Sequence, residues 1–226
     1  MSFEVKICGV ARAEDIAAAA RAGAAQVGFV FFARSPRNLS PDRAAALAEA
    51  TPARLAKVAL FVDASDGEID EAVNACAPDW LQFHGRETPA RVAAAKARWG
   101  RPILKALGVR DRADVAGARA YAGAAARVLY DAKPPEGAER PGGLGAAFDW
   151  SALTAAAADI PWMLSGGLTP ANVGEAVARA NILGGFCGVD VSSGVESAPG
   201  RKDARLIEAF VEAARSGAQD FSSVDA

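Results

Sequence analysis

The sequence predicts an α/β fold: a single-domain (β/α)8 barrel of the TIM type, with eight parallel strands. Three observations carry this. Eight short apolar runs, rich in β-branched and aromatic residues, fall at 5–8, 27–31, 58–62, 80–83, 103–107, 128–131, 162–165 and 186–191. Near-continuous apolar runs suit strands buried on both faces, as parallel strands are. Alanine-rich stretches with helical periodicity separate them, and strands alternating with helices imply parallel βαβ units. Polar and glycine-rich signals follow nearly every strand. A doubly wound sheet would gather them in one crevice, whereas a barrel sets all eight strand ends around one mouth. Eight such units in 226 residues leave no room for a second domain, so the barrel is expected over 1–215 and a frayed, small and polar tail over 216–226.

Taken in order, the first run closes on Cys8-Gly9. The second precedes Arg34-Ser35-Pro36-Arg37, and Ser40-Pro41 then opens a helix: a hydroxyl caps an orphan amide, and proline at the first helical position loses no hydrogen bond. The third run is followed by Asp63, then by Ser65 and Glu68 at capping-box spacing. His84-Gly85 ends the fourth, and Thr88-Pro89 opens its helix. Lys105 sits inside the fifth, where it either points to the mouth or pairs with a carboxylate. Asp131 ends the sixth, and a charged insert starting at Lys133-Pro134-Pro135 leads to a glycine run over 142–145. Ser165-Gly166-Gly167-Leu168 ends the seventh, with Thr169-Pro170 as a third helix start. The eighth carries Asp190 and closes on Ser192-Ser193-Gly194-Val195-Glu196. The last helix shows an apolar stripe at Leu206, Ile207, Phe210, Val211 and Ala214.

Composition excludes several function classes. Lys plus Arg number 25 against 27 Asp plus Glu, without the basic excess of a nucleic-acid footprint. No uninterrupted apolar run reaches the ~18 residues of a membrane helix. The stretch Met1-Ser2-Phe3-Glu4-Val5-Lys6 has no apolar signal core, and Cys8, Cys76 and Cys187 form no CxxC pair. A reducing, cytoplasmic setting follows. His84 is the single histidine, so a multi-histidine metal site is impossible within one chain, and no metal is expected.

Three constellations carry chemistry. Glycines and serines after strands seven and eight (Gly166, Gly167, Ser192, Ser193, Gly194) fit the phosphate grip of barrels, where glycine lets backbone amides approach the anion. Cys8 and Asp131, on different strand ends, form a possible base and acid: a thiol needs only modest stabilisation of its thiolate, and a carboxyl is raised by burial. Arg37, with Arg34, offers a planar fork for a carboxylate. Asp190 fits a hydroxyl or amine of a substrate, or the bracing of a loop. From pattern alone Cys8 also reads as a small buried apolar residue, Arg37 as a solvated loop charge and His84 as a hydrogen-bonded structural histidine. Cys76, in a helix, and Cys187, mid-strand, read as structural.

These residues, in this order, resemble the phosphoribosylanthranilate isomerases, a tryptophan-biosynthesis family. The matching pieces run from position 5 to about 214: Lys6-Ile7-Cys8-Gly9; Val27-Gly28-Phe29-Val30-Phe31 with Ser35-Pro36-Arg37; Leu60-Phe61-Val62-Asp63; Leu81-Gln82-Phe83-His84-Gly85-Arg86-Glu87; Asp131, the glycine run and Phe148-Asp149-Trp150; Leu164-Ser165-Gly166-Gly167-Leu168; and Val189-Asp190-Val191-Ser192-Ser193-Gly194-Val195-Glu196 with Pro199-Gly200 and Lys202-Asp203. The resemblance implies a cofactor-free Amadori rearrangement of N-(5-phosphoribosyl)anthranilate to the 1-(2-carboxyphenylamino)-1-deoxyribulose 5-phosphate. It implies Cys8 as base, Asp131 as acid, Arg37 on the anthranilate carboxylate, and the serine and glycine loops on phosphate. His84 and Asp190 join Arg37 as substrate-binding residues. The partner is then a small phosphoribosyl molecule, with no nucleic acid and no membrane, and the chain a monomer or homodimer. The glycine run reads as a lid. Ser165 and Phe83 depart from the family's usual alanine and aliphatic residue, and the insert at Lys133 is long. Two other readings compete: a Schiff-base phosphosugar aldolase with Lys105 as nucleophile, and a non-catalytic phosphate-binding barrel.

Overall fold

A computed structural model of the chain describes residues 3–133 and 148–219. Eight strands, β1 (Glu4–Cys8), β2 (Gln26–Phe31), β3 (Ala56–Phe61), β4 (Trp80–Phe83), β5 (Ile103–Val109), β6 (Arg127–Ala132), β7 (Trp162–Leu164) and β8 (Phe186–Val191), form a closed barrel in sequence order. All pairs are parallel, and β8 closes on β1 with Glu4 opposite Gly188 and Ile7 opposite Val191. Each expected strand is present, and the fifth runs on to Val109.

Helices α1 (Ala13–Ala22), α2 (Pro41–Glu49), α3 (Asp66–Cys76) and α4 (Pro89–Trp99) follow the first four strands. Ser40 and Thr88 accept the amides of Arg43 and Arg91, and Ser65 and Glu68 form the reciprocal capping box. After β5 the connection is a five-residue helix, α5 (Arg112–Ala116), continued by a 3-10 turn over Gly117–Tyr121. The insert from Pro134 onward and the expected lid at 142–145 lie outside the described residues. Beyond them a 3-10 segment, Trp150–Ala155, stands where a sixth helix was expected.

One expected helix start is wrong. α6 spans Val173–Asn181, three residues after Thr169-Pro170. Asn172 wins the competition for local hydrogen bonds: its Oδ1 accepts the Thr169 amide at 2.8 Å and its Nδ2 donates to the Gly167 carbonyl at 3.0 Å. This turn ties the helix entry to the loop after β7. The last helix, α7 (Ala204–Gln219), buries Ile207, Phe210, Val211 and Ala214 and runs four residues past the expected barrel end; residues 220–226 lie outside the described residues. Between β8 and α7 a 3-10 turn, Ser193–Val195, leads into a small hairpin, β9 (Glu196–Ala198) and β10 (Arg201–Lys202).

Strand alternation divides the side chains into two shells. Outward residues such as Ile7, Val27, Phe29, Tyr130 and Val189 pack against helices in the main core. Inward residues fill the barrel in layers. Leu104, Ala106, Leu129, Met163 and Cys187 form one, bounded by Trp80; Cys8, Val30 and Leu60 form another, with Phe32 and Val62. Alternation therefore puts Lys6 and Cys8 on the interior face of β1, Gly28 on that of β2, His84 beyond β4 and Asp131 on that of β6.

Candidate active site

Cys8 is the last residue of β1 and is buried. Room for its sulfur comes from Gly28 on the neighbouring strand, where a Cβ would fall 2.9 Å from Cys8 Sγ and 3.3 Å from Lys6 Nζ. The thiol and the ammonium thus share one glycine floor. Lys6 is fully buried and donates to Asp190 Oδ1 at 2.8 Å across the β1–β8 seam. Burial works to lower the Lys6 pKa, but Asp190 and then Cys8 lift it above the ordinary amine value.

The thiol departs from the simplest expectation. Burial pushes the Cys8 pKa up, Lys6 pulls it down, Asp190 pushes it up again and Lys202 pulls it down; the net direction is upward. The free site therefore keeps its proton on sulfur, because desolvation of the thiolate outweighs the two ammonium groups. Lys6 is the nearest counter-charge available when that proton leaves.

Asp131, near the end of β6, is buried with its carboxylate at the mouth. His84 Nε2 lies 3.1 Å from Asp131 Oδ2, an ion pair whenever the imidazole is protonated. No sequence pattern places these two side by side, since β4 and β6 are separated by β5.

Arg37 is buried rather than solvated. Its Nε and Nη2 donate to Glu196 Oε1 and Oε2, both at 2.7 Å, and a Cβ on Gly9 would strike its Cδ at 2.4 Å. The expected free fork is thus half engaged by a carboxylate from the segment after β8, with only β1 between β8 and β2, while Nη1 has no acceptor among the described residues. Asp190 is likewise engaged, by Lys6, and braces β8 to β1.

The loops after β7 and β8 meet backbone to backbone. A Cβ on Gly194 would lie 1.9 Å from the Leu168 carbonyl oxygen, and one on Gly166 2.3 Å from the Ala132 amide nitrogen. Gly166 and Gly167 also adopt positive φ, 86° and 65°. The N–H groups of Gly166, Gly167, Ser193 and Gly194 have no acceptor among the described residues. Ser192 offers its carbonyl and hydroxyl to Lys202 Nζ at 3.0 and 3.3 Å.

Lys105 does not reach the mouth. Leu104 and Ala106 face the barrel interior, so Lys105 faces outward, where Nζ donates to Glu87 at 2.9 Å and to the carbonyls of Phe83 and Gly85 at 3.3 and 2.8 Å. A buried, ion-paired ammonium on the wrong face is no Schiff-base nucleophile. Cys76 and Cys187 donate to helix and strand carbonyls, and burial pushes both thiols up to about 11, as structural cysteines require. Among the described residues, no three His, Cys, Asp or Glu side chains converge as metal ligands would, and no helix is long and apolar enough to cross a membrane.

Three residues of this cluster, Lys6, Glu196 and Lys202, lie within the motifs quoted above but carry no role there. Lys6 carried a usable signal, since two residues before Cys8 on one strand means the same face.

A family model described as N-(5'-phosphoribosyl)anthranilate isomerase matches residues 5–213. The chain belongs to this family. A relative from Paramagnetospirillum magneticum, named N-(5'-phosphoribosyl)anthranilate isomerase, is 52% identical over 217 residues, covering 96% of this chain and 99% of its own. Among solved structures, the phosphoribosyl anthranilate isomerase of Thermus thermophilus superposes with a TM-score of 0.82 at 30% identity, covering 95% of this chain and 99% of that one. A phosphoribosyl anthranilate isomerase in complex with reduced 1-(o-carboxyphenylamino)-1-deoxyribulose 5-phosphate superposes with a TM-score of 0.76 at 30% identity over 94% and 98% of the two chains. The chain is an isomerase of tryptophan biosynthesis, acting on phosphoribosylanthranilate.

Proposed function

We propose that Cys8 and Asp131 are the base and acid of this rearrangement, with Arg37 on the anthranilate carboxylate and the two glycine and serine loops on the phosphate. The observation that carries it is the polar content of one barrel mouth. A thiol beside an ammonium and a carboxyl beside an imidazole face inward at the end where two loops present unpartnered amides.

The chemistry follows from those groups. Asp131, held by His84, protonates the furanose ring oxygen as the C1–O bond breaks, leaving an iminium at C1. That cation acidifies the C2 proton and also favours a neighbouring thiolate, so substrate supplies the charge that burial withholds from Cys8. Cys8 removes the C2 proton, the electron pair forms the enolamine, and tautomerisation gives the ketone. Each positioned proton transfer contributes on the order of 10²–10⁴-fold. Phosphate sits on the amides of Gly166, Gly167, Ser193 and Gly194, with the Ser192 and Ser193 hydroxyls alongside. His84 and Asp190 act here by holding Asp131 and Lys6, and any contact of theirs with sugar hydroxyls is secondary. The small phosphoribosyl substrate is the site's partner. Every group named lies on one chain, so monomer and homodimer alike carry a whole site. Three free thiols suit a reducing, cytoplasmic setting.

The test uses phosphoribosylanthranilate generated freshly from anthranilate and phosphoribosyl pyrophosphate, with loss of its fluorescence followed against spontaneous hydrolysis. Cys8→Ser and Asp131→Asn should each lower kcat by at least about 10²-fold in a folded protein. Near wild-type kcat in either variant would remove that residue from its role.

A further inference from the structure

Glu196 is a buried carboxylate that no step above uses, and it lies between two cations. Its side chain is only 4% exposed. Oε1 accepts from Arg37 Nε at 2.7 Å and from Lys202 Nζ at 2.8 Å; Oε2 accepts from Arg37 Nη2 at 2.7 Å and from the Gly200 amide at 3.3 Å. Both oxygens are therefore fully engaged. Lys202, whose side chain is fully buried, spends its remaining donors on the carbonyl and hydroxyl of Ser192.

We infer that Glu196 is a positioning residue that selects an aromatic acid: it fixes the Arg37 fork for the substrate's carboxylate and ties that grip, through Lys202, to the phosphate loop at Ser192. The inference rests on Arg37 as the carboxylate site. A guanidinium offers two bidentate edges. Glu196 takes the side edge, Nε with Nη2, so the end edge, Nη1 with the second Nη2 proton, is left for another carboxylate in a fixed plane. The charge count agrees. Arg37 and Lys202 against Glu196 leave one net positive charge, which one substrate carboxylate neutralises. Without Glu196 two buried cations would face each other unshielded, and the long Arg37 side chain would lose the contact that orients it. Gly9 adds the second constraint, because the Arg37 stem lies in the space a Cβ would occupy there. Glu196 thus acts on a second substrate group through Arg37 and not on the reacting atoms.

The experiment compares two substrates: phosphoribosylanthranilate, and the N-(5-phosphoribosyl)aniline made by condensing aniline with ribose 5-phosphate, which lacks the carboxylate. In Glu196→Gln the ratio of kcat/KM between them should fall about tenfold or more, chiefly through KM for the anthranilate compound, because an amide nitrogen turns a donor toward Arg37 or Lys202. Glu196→Asp, which keeps the charge but withdraws it by one methylene, should show the same split and serves where the glutamine variant does not fold. Arg37→Ala should lower the same ratio. If Arg37→Ala lowers it while both Glu196 variants keep it within about twofold of wild type, the positioning role is overturned and the Arg37 assignment stands. If Arg37→Ala itself leaves the ratio unmoved, the carboxylate assignment falls and the Glu196 role falls with it.

Discussion

The two ends of the barrel handle buried charge in opposite ways. At the N-terminal end, Glu4 accepts from both Arg127 nitrogens and from Gln26, each at 2.8 Å, and the Arg127 guanidinium lies 4.9 Å from the Trp80 ring centre. Both terminal nitrogens of Arg127 and the Gln26 amide meet the one Glu4 carboxylate, and the guanidinium also covers an aromatic face, so these groups plug this end. At the mouth the pairing is incomplete. Lys6 and Asp190 satisfy each other, yet Cys8 stays beside them as a desolvated thiol; Arg37 keeps one nitrogen unpartnered, and four loop amides have no acceptor among the described residues. The four loop residues are half-buried, so their amides are open to water and to a ligand that displaces it. A fold that pairs its strand-end charges at one end and leaves donors open at the other holds the second set for a ligand.

The largest effect on stability is expected at the plug. Arg127→Met should destabilise the fold by about 2 kcal/mol, because it leaves the half-buried Glu4 carboxylate with Gln26 alone as side-chain donor, while kcat measured well below the melting transition stays at wild-type level. A thermal melt with parallel kinetics checks both halves, and an equal loss of kcat in the folded protein would erase the distinction between the ends. At the mouth, Gly28→Ala should show the reverse. The new methyl meets the Cys8 sulfur and the Lys6 nitrogen, so the thiol is displaced by a fraction of an ångström. We expect kcat to fall about 10-fold to 10²-fold, with a smaller change in melting temperature than Arg127→Met produces. A melting change with unaltered kcat would mean that the thiol's position is not critical.

Much of the fold was legible in the residues. The eight strands follow from apolar runs that only a sheet covered on both faces tolerates, and three helix starts follow from Ser40, Ser65 and Thr88. Thr169 misled because Asn172, three residues on, offers a better local acceptor, and propensity cannot rank the two. The site was legible where one strand carries the signal. Cys8, Asp131 and the glycine loops sit at strand ends, whereas Lys6 was hidden inside a segment taken only as apolar, although period-two alternation places it with Cys8. The same alternation, applied to Leu104 and Ala106, turns Lys105 away from the mouth. Glu196 had no local signal, because its partner Arg37 lies 159 residues away and only the closing of the barrel brings it near; Lys202 has its partners close in sequence, at Glu196 and Ser192, but only the β9–β10 hairpin turns its ammonium back onto them.

Cys8, poised by Lys6, is the base proposed above. The most direct test is kcat/KM against pH for the wild type and for Lys6→Met, since this parameter reports groups of the free enzyme. The active form is the thiolate, so activity should rise with pH through the thiol pKa. Burial holds that pKa above the ordinary value of 9.0, which places the limb on the alkaline side. Lys6 is the leading influence that lowers it, so its removal should carry the limb to still higher pH and reduce kcat/KM at neutral pH. A limb that stays where it is in Lys6→Met would rule out the Cys8 thiol as the base, because the proton being lost would then belong to a group that does not feel the Lys6 charge.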